Sequence, residues 1–251
     1  MGAYKNPIVL LHGTGLDSSM WDGFRRALVA DGASEDSIFT LDLLGHGETP
    51  RPSRPLHIDD YVRQVRKLVL RQDLGRIQIL GHSLGGIAAL AFARAHPDLT
   101  DDAAVIGVPY GRSDTQRNEW LDLIMQATAL DEDDDTSDPV GEIVPQVVQR
   151  WCRQADSTSA TYATDRLLRV DPVTFGLVFR IAMTSENAVE EMAPEISVPI
   201  VVAAGSNDSE VDAAGVDELA RAINRGTSVV IDGHHHLGVV EQPDSYLQLL
   251  H

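Results

Sequence analysis

Short apolar runs alternate with amphipathic stretches along the first 110 residues of the chain. Runs of the first kind predict buried strands, and longer stretches with helical spacing predict helices. Strands that alternate with helices indicate a parallel sheet with helices on both of its faces. The predicted strands of this half are 8–11, 37–42, 77–80 and 103–108, and the predicted helices are 21–30, 58–72 and 84–95.

The pattern changes between residues 111 and 195, where helical stretches follow one another without a convincing strand. Two further strands, 199–204 and 227–231, come after it. We therefore expect an α/β core made of residues 1–110 and 196–251, interrupted by a helical lid at 111–195. The acid run from Asp131 to Asp135 is expected to be a solvated loop between lid helices rather than a calcium site.

A serine lies at the junction of the third predicted strand and the helix that follows, in Gly81-His82-Ser83-Leu84-Gly85. The two glycines leave room for the helix to double back on the strand, which exposes the serine hydroxyl above the sheet. The N–H of Leu84 then points toward an oxygen bound beside Ser83. The pattern predicts a nucleophilic Ser83. The alternative is a tight turn that happens to contain a serine.

Four further blocks accompany this turn in a fixed order: a Gly-rich loop after the first strand, the loop 41–49, an acid after a late strand, and a histidine block near the end. With all five blocks in order, nearly the whole chain resembles the α/β-hydrolase superfamily. The resemblance implies a mostly parallel sheet with a helical lid, and a Ser–acid–His triad in that chain order. The antiparallel hairpin that most relatives carry before the strand beginning here at Pro7 is expected to be missing.

The acid of the triad is expected to be Asp208, which follows the strand 199–204. The carboxyl ends of the strands form the edge where sites lie in open α/β sheets. Glu210 and Asp212 are the local alternatives. An acid in this position would orient the base and stabilise its protonated form.

Three adjacent histidines, His234 to His236, follow the last predicted strand and reach the same edge of the sheet. In the superfamily the catalytic histidine stands five residues before an acid that opens an acid-x-Pro turn, and Glu241 is that acid here. The resemblance therefore selects His236, with His235 as the alternative. No cysteine or acid at ligand spacing supports a metal site in this cluster.

Hydrolysis through a tetrahedral oxyanion needs two preorganised N–H donors. Leu84 supplies one, and the resemblance assigns the other to the loop His12-Gly13-Thr14-Gly15, at Thr14 or alternatively at Gly15. His12 is expected to brace this loop. Asp42, His46 and His82 are likewise expected to have structural roles.

Within the superfamily, the middle of the chain is similar to 3-oxoadipate enol-lactonases and related small esterases. The residues that carry this similarity are Trp120, the run 147–151, the run 171–175 and the run 196–199. The resemblance makes apolar lid residues candidates for lining an acyl or ring pocket. The candidates are Trp120, Ile124, Trp151 and Phe175.

A formal net charge of −18 opposes binding to nucleic acid or to anionic membranes. Cys152 is the only cysteine, so a disulfide framework is excluded, and we expect it to serve packing. No signal peptide and no apolar run of membrane-spanning length is visible, which favours the cytoplasm.

These features predict a serine hydrolase, free of cofactor and metal, that cleaves a small carboxylic ester or lactone. Carbon–carbon bond hydrolysis of a ring-cleavage product and perhydrolysis are the alternatives within enzymology. A ligand receptor on a hydrolase fold, with slow or no turnover, is the alternative from another class.

Without the hairpin, the segment Ile38-Phe39-Thr40-Leu41 becomes the edge of the sheet. It is apolar and contains no lysine or proline to discourage a partner strand. We expect either that residues 2–5 cover this edge or that it mediates self-association into a homo-oligomer.

Overall fold

A computed structural model describes residues 4–129, 138–152 and 154–250. Within these ranges one six-stranded sheet runs through the molecule in the order β2-β1-β3-β4-β5-β6. Every pair of neighbouring strands is parallel, as the alternation of strands and helices predicted. The strands are β1 (Ile8–Leu11), β2 (Ile38–Leu41), β3 (Ile77–His82), β4 (Thr100–Ile106), β5 (Ile200–Gly205) and β6 (Gly226–Ile231).

Helices follow the early strands and fill the segment between β4 and β5. α2 packs against α3, α3 packs against β3 and β4, and α9 packs against β5 and β6. The helices are α1 (Asp22–Ala30), α2 (Ile58–Arg71), α3 (Leu84–Ala95), α4 (Asp114–Ala127), α5 (Pro139–Trp151), α6 (Thr158–Leu167), α7 (Pro172–Thr184), α8 (Glu186–Met192), α9 (Ala213–Ala222) and α10 (Gly238–Glu241).

The central strands are buried on both faces because helices cover the sheet on each side. All four residues of β1 are buried, and α3 is buried along its length from Leu84 to Ala93. This helix is rich in alanine and glycine, which lets it lie close to the strands. The sheet therefore holds the turn between β3 and α3 rigidly.

β4 begins earlier than the sequence predicts, at three polar residues, of which Thr100 and Asp102 pair with β3 and Asp101 lies at a register shift between them. Both aspartates have side-chain partners outside β4. The Gln78 amide donates to Asp102 at 3.1 Å, and the Asn6 amide donates to Asp101 at 2.6 Å. Polar residues with such partners do not show the apolar pattern on which the prediction relied.

Five helices, α4 to α8, occupy the described part of the segment predicted to be the lid, and no strand of the sheet comes from it. α4 packs against α5 and α7, and α8 packs against α3 of the core. The division into core and lid as separate units remains a prediction. The acid run from Asp131 to Asp135 lies outside the described residues.

β2 forms one edge of the sheet and pairs only with β1 among the described residues. Tyr4 and Lys5 form no strand, and residues 2–3 of the predicted cover lie outside the described ranges. None of the helices described combines the length and the hydrophobicity needed to cross a bilayer.

Candidate active site

Ser83 sits on a sharp turn between β3 and α3 with φ of 52° and ψ of −116°. A positive φ is uncommon for a residue other than glycine and persists only where the surroundings enforce it. Those surroundings are tight, because a Cβ on Gly85 would lie 2.3 Å from the Leu11 carbonyl oxygen. The Ser83 N–H donates to the Ile106 carbonyl at 2.8 Å, which fixes the turn to the end of β4.

Asp208 and His236 lie together at the carboxyl ends of β5 and β6, and both are buried. His236 Nδ1 is 2.9 Å from Asp208 Oδ2 and 3.1 Å from Oδ1. An imidazole whose Nδ1 faces a carboxylate carries its proton there, which leaves Nε2 free to accept another. The carboxylate also accepts the backbone N–H of Glu210 at 2.8 Å.

Charge and burial act in opposite directions on this pair. Burial lowers the pKa of His236, but the adjacent Asp208 carboxylate outweighs it, so the pKa lies above the ordinary value. Burial raises the pKa of Asp208, but the imidazole and its hydrogen bonds outweigh that effect, so this pKa lies below the ordinary value. The pair therefore favours an ionised carboxylate and stabilises an imidazolium when one forms.

His82 and Gly107 contact the loop that carries His236 and pack it against the turn that carries Ser83. The ring of His82, the residue before Ser83, lies 4.6 Å from the His236 ring, and its Nε2 is 2.8 Å from the His236 carbonyl oxygen. Burial and the neighbouring His236 lower the pKa of His82 to about 3, so His82 is neutral and Nε2–H can donate. Gly107 has φ of +61°, and a Cβ there would lie 2.9 Å from His236 Cε1.

The three adjacent histidines point to different neighbours. His234 packs its ring against Tyr246 at 5.3 Å, His236 faces Asp208, and His235 is only half-buried. Among the described residues, no three histidine, cysteine, aspartate or glutamate side chains are grouped so as to hold a metal ion.

The two alternative acids are engaged elsewhere. Asp212 caps α9 by accepting the Gly215 N–H at 2.8 Å. Glu210 binds arginines and a tryptophan from the lid side of the site. The structure therefore brings Asp208, of the three carboxylates weighed, to His236.

The loop after β1 lies directly beside the serine turn. A Cβ on Gly13 would lie 3.4 Å from the Ser83 Cβ, and the next residue, Thr14, is buried. Leu84 is the first residue of α3, so its N–H has no acceptor within the helix. Both predicted oxyanion donors thus flank Ser83, and their role stays a prediction.

His12 and Asp42 connect this loop to the loop after β2. His12 Nε2 accepts the Leu43 N–H at 2.9 Å, while Asp42 accepts the N–H of Ser18 at 2.8 Å and of Glu48 at 3.0 Å. Burial lowers the pKa of His12, so the ring is neutral and can accept this hydrogen bond. These contacts agree with the structural roles predicted from the sequence.

Aromatic side chains of the lid lie over His236. The Trp151 ring is 5.9 Å from the His236 ring and is stacked on Phe179 at 6.1 Å. Trp120 and Phe175 join the stack through Phe179, at 5.6 and 4.1 Å. Of the four predicted pocket residues, Trp151 therefore contacts His236, whereas Trp120 and Phe175 contact Phe179, which stacks on Trp151. Ile124 is buried in α4, and its place in a pocket stays a prediction.

Phe179 is the centre of this stack, and the sequence pattern did not single it out from other apolar lid residues. It also packs against the loop after β1, since a Cβ on Gly15 would lie 2.5 Å from Leu167 and 3.2 Å from Phe179. A cleft of about 560 Å³ is lined by Gly15, His46, Arg51 and Arg166, among others, and Ser83 is not among its lining residues.

Comparison with known proteins fits this geometry. A model of the alpha/beta hydrolase family matches residues 8–249. The chain belongs to the alpha/beta hydrolase family. The fold predicted from the five sequence blocks is thereby confirmed.

The chain is similar over most of its length to several members of this family. It is 23% identical to (E)-2-((N-methylformamido)methylene)succinate hydrolase of Acinetobacter baylyi, over 97% of this chain and 88% of that protein. An esterase of Thermogutta terrifontis shares the fold with a TM-score of 0.79 and 22% identity, over 98% of this chain and 88% of the other. The enol-lactonase of Burkholderia xenovorans has a TM-score of 0.80 and 21% identity, over 98% and 90%.

Proposed function

We propose that this alpha/beta hydrolase is a serine hydrolase that cleaves a small carboxylic ester or lactone through an acyl-enzyme. The observation that carries the proposal is the buried Asp208–His236 pair packed against His82, the residue before a serine held at a positive φ. A serine hydroxyl at its free pKa is a poor nucleophile, so an adjacent base and an orienting acid are the parts it needs.

In the proposed reaction, Ser83 Oγ attacks the substrate carbonyl carbon and His236 Nε2 takes the hydroxyl proton. The oxyanion accepts hydrogen bonds from the N–H groups of Thr14 and Leu84. Collapse of the tetrahedral intermediate breaks the ester bond, and His236 returns the proton to the leaving oxygen. Water then attacks the acyl-enzyme with His236 as base, which releases the acid and restores Ser83.

Asp208 has two tasks in this scheme. It holds the Nδ1–H tautomer of His236, and it stabilises the imidazolium that forms at each proton transfer. Its three acceptor contacts, to the imidazole and to the N–H groups of Glu210 and Val211, keep it in the ionised form that both tasks require.

The aromatic stack favours a substrate with a compact apolar acyl group or ring, because Trp151 lies next to the histidine and Phe179 stacks on Trp151. Proteins of the same fold described as an esterase and an enol-lactonase support ester or lactone chemistry for this chain as well, and the relative described as a hydrolase of a succinate derivative supports hydrolysis in general.

Steady-state and burst kinetics with a chromogenic acetate ester test the proposal. We expect many turnovers per molecule for the wild-type protein and a loss of kcat of roughly 10³-fold or more in Ser83→Ala. One slow equivalent of product per molecule would favour a ligand receptor. Equal turnover by Ser83→Ala would overturn the serine mechanism.

A further inference from the structure

Glu210 is a buried carboxylate that does not contact His236 through its side chain. Its side chain is 2% exposed. It accepts hydrogen bonds from Trp120 Nε1 at 2.6 Å, Arg112 Nη2 at 3.0 Å and Arg150 Nε at 2.9 Å. Burial of an unpaired carboxylate costs several kcal/mol, so these donors are what allows the charge to stay in the interior. We call Glu210, Arg112, Arg150 and Trp120 the Glu210 cluster.

The donors of the Glu210 cluster come from the lid and its first connection to the core. Trp120 lies on α4, Arg150 on α5, and Arg112 just before α4. The Arg150 guanidinium also lies over the Trp120 ring, 5.3 Å from its centroid. Trp120 continues into the aromatic stack above His236. The Glu210 carboxylate thus connects α4, α5 and the segment before α4 at one point.

The backbone of the same residue contacts the catalytic acid proposed above. The Glu210 N–H donates to Asp208 Oδ1 at 2.8 Å, and Asp208 Oδ1 and Oδ2 face His236 Nδ1. A displacement of Glu210 that followed the lid would therefore move a hydrogen bond of Asp208. In the same way, the contacts of Arg112, Trp120 and Arg150 with Glu210 hold the 208–210 turn in place.

We propose that Glu210 is a positioning residue that ties closure of the lid to the placement of Asp208 and, through it, of His236. This inference rests on the proposed function, because it assumes that Asp208 and His236 work on Ser83. It differs from the role weighed for Glu210 on sequence grounds, which was that of the triad acid itself.

Replacement of Glu210 by glutamine tests the proposal, because it keeps the shape and removes the charge. A glutamine amide cannot accept three donors, two of them guanidinium groups, so we expect the cluster to open. Misplacement of a catalytic group by about 1 Å can cost about 10²-fold, and we expect a loss of kcat of that order. The matched control is Glu195→Gln, which removes an exposed carboxylate paired with Arg94 and should leave kcat unchanged.

The pH profile separates positioning from general loosening of the fold. The charged and titratable groups around His236 are Asp208 and Glu210 after β5, Arg112 after β4 and His82 on β3. Loss of the Glu210 charge removes an attraction that favours the imidazolium, while the charge of Arg112 continues to disfavour it. The acid limb of kcat/KM should therefore move to lower pH in Glu210→Gln, whereas mere partial unfolding would reduce amplitude without moving the limb.

A double-mutant cycle with Trp120→Phe adds a second test that keeps the aromatic ring and deletes one donor. If the lid acts through Glu210, the effect of Trp120→Phe on kcat should largely disappear in the Glu210→Gln background. Hydrogen exchange of the amides in α4 and α5 should accelerate in Glu210→Gln and not in Glu195→Gln, which is a readout independent of activity.

The outcomes distinguish the inference from the function on which it rests. An inactive Ser83→Ala, together with Glu210→Gln at wild-type kcat and an unmoved acid limb, would overturn only the inference. Strictly additive effects of Glu210→Gln and Trp120→Phe would also overturn it. Full turnover by Ser83→Ala would overturn the proposed function, and the inference with it.

Discussion

The candidate site has two parts, the carboxyl edge of the sheet and the lid, and the groups in each part are positioned by different means. At the sheet edge, backbone geometry places the groups: Ser83 at a positive φ, Gly107 against His236, and strand ends that converge because the strands are parallel. On the lid side, side-chain contacts place the groups: an aromatic stack, and three donors from Arg112, Trp120 and Arg150 to the buried carboxylate of Glu210 in the core. The backbone geometry at the sheet edge is encoded by short local motifs, whereas the side-chain contacts on the lid side join residues that are far apart in the chain.

The largest effect should come from the base at the sheet edge. His236→Ala should lower kcat by roughly 10³-fold or more, and adding Ser83→Ala should cost little further, because the two residues act as a unit. His235→Ala is the matched control and should keep most of the activity, since the His235 side chain is only half-buried and it is His236 that faces Asp208. An inactive His235→Ala with an active His236→Ala would show that the other histidine is the base.

Substitution of Gly107 tests whether the backbone geometry at the sheet edge determines the position of His236. Gly107→Ala would put a methyl group 2.9 Å from His236 Cε1, and we expect kcat to fall about 10-fold or more as the ring moves. Gly75→Ala is the control, because its φ of +66° gives similar strain but no atom lies within 4 Å. Both variants should lose about 1 kcal/mol of stability from the left-handed backbone. Equal kcat in the two variants would contradict the role of Gly107.

The lid and the sheet edge should also differ in how acid changes their contribution to folding stability. The lid segment 111–195 contains no histidine, whereas the sheet edge buries several. Burial lowers the pKa of both His46 and His82 from 6.5 to about 3. Between these values the unfolded chain binds protons that the folded chain does not, so stability is present above about pH 6.5 and is lost as the pH falls toward 3.

The loss should be about 2 kcal/mol for each of these histidines at pH 5, measured as the free energy of unfolding in urea. His46→Asn should flatten the pH dependence relative to wild type, and substitution of the exposed His57 by Asn should not. A pH dependence that is the same in His46→Asn and wild type would show that His46 does not contribute.

The smallest expected effect concerns β2, where the sheet ends. Its backbone groups on the outer side have no strand partner among the described residues, so we expect weak self-association through this edge. Light scattering at high protein concentration should show it, and Phe39→Lys should reduce it, while Val29→Lys, at an exposed apolar position on α1, should not. A monomeric wild-type protein with unprotected amides at Ile38–Leu41 would show that the edge is simply solvated.

The sheet edge could be predicted closely from the sequence because each of its parts is a local pattern. The turn around Ser83 needs glycine at fixed positions, and the acid and histidine follow recognisable strands. The polar start of β4 was missed because Asp101 and Asp102 are partnered by Asn6 and Gln78, which are 95 and 24 residues away in the chain. Gly107 was missed because the atom it must avoid belongs to a residue more than 100 positions away.

The lid could be predicted only as helical. Four apolar residues were named as pocket candidates, but nothing local distinguishes Trp151, next to His236, from Ile124, which is buried within α4. Glu210 was read as a competitor of Asp208 because sequence proximity cannot show which way a carboxylate turns. Its partners Arg112 and Arg150 are 98 and 60 residues away. Packing between distant helices decides these contacts.

Covalent trapping of Ser83 tests the central claim most directly. A serine-directed fluorophosphonate should add one label per molecule, peptide mapping should place it on Ser83, and its appearance should parallel loss of esterase activity. Ser83→Ala should take up no label, His236→Ala should label much more slowly, and a chelator should change neither rate. Labelling at another residue, or undiminished labelling of Ser83→Ala, would contradict the account.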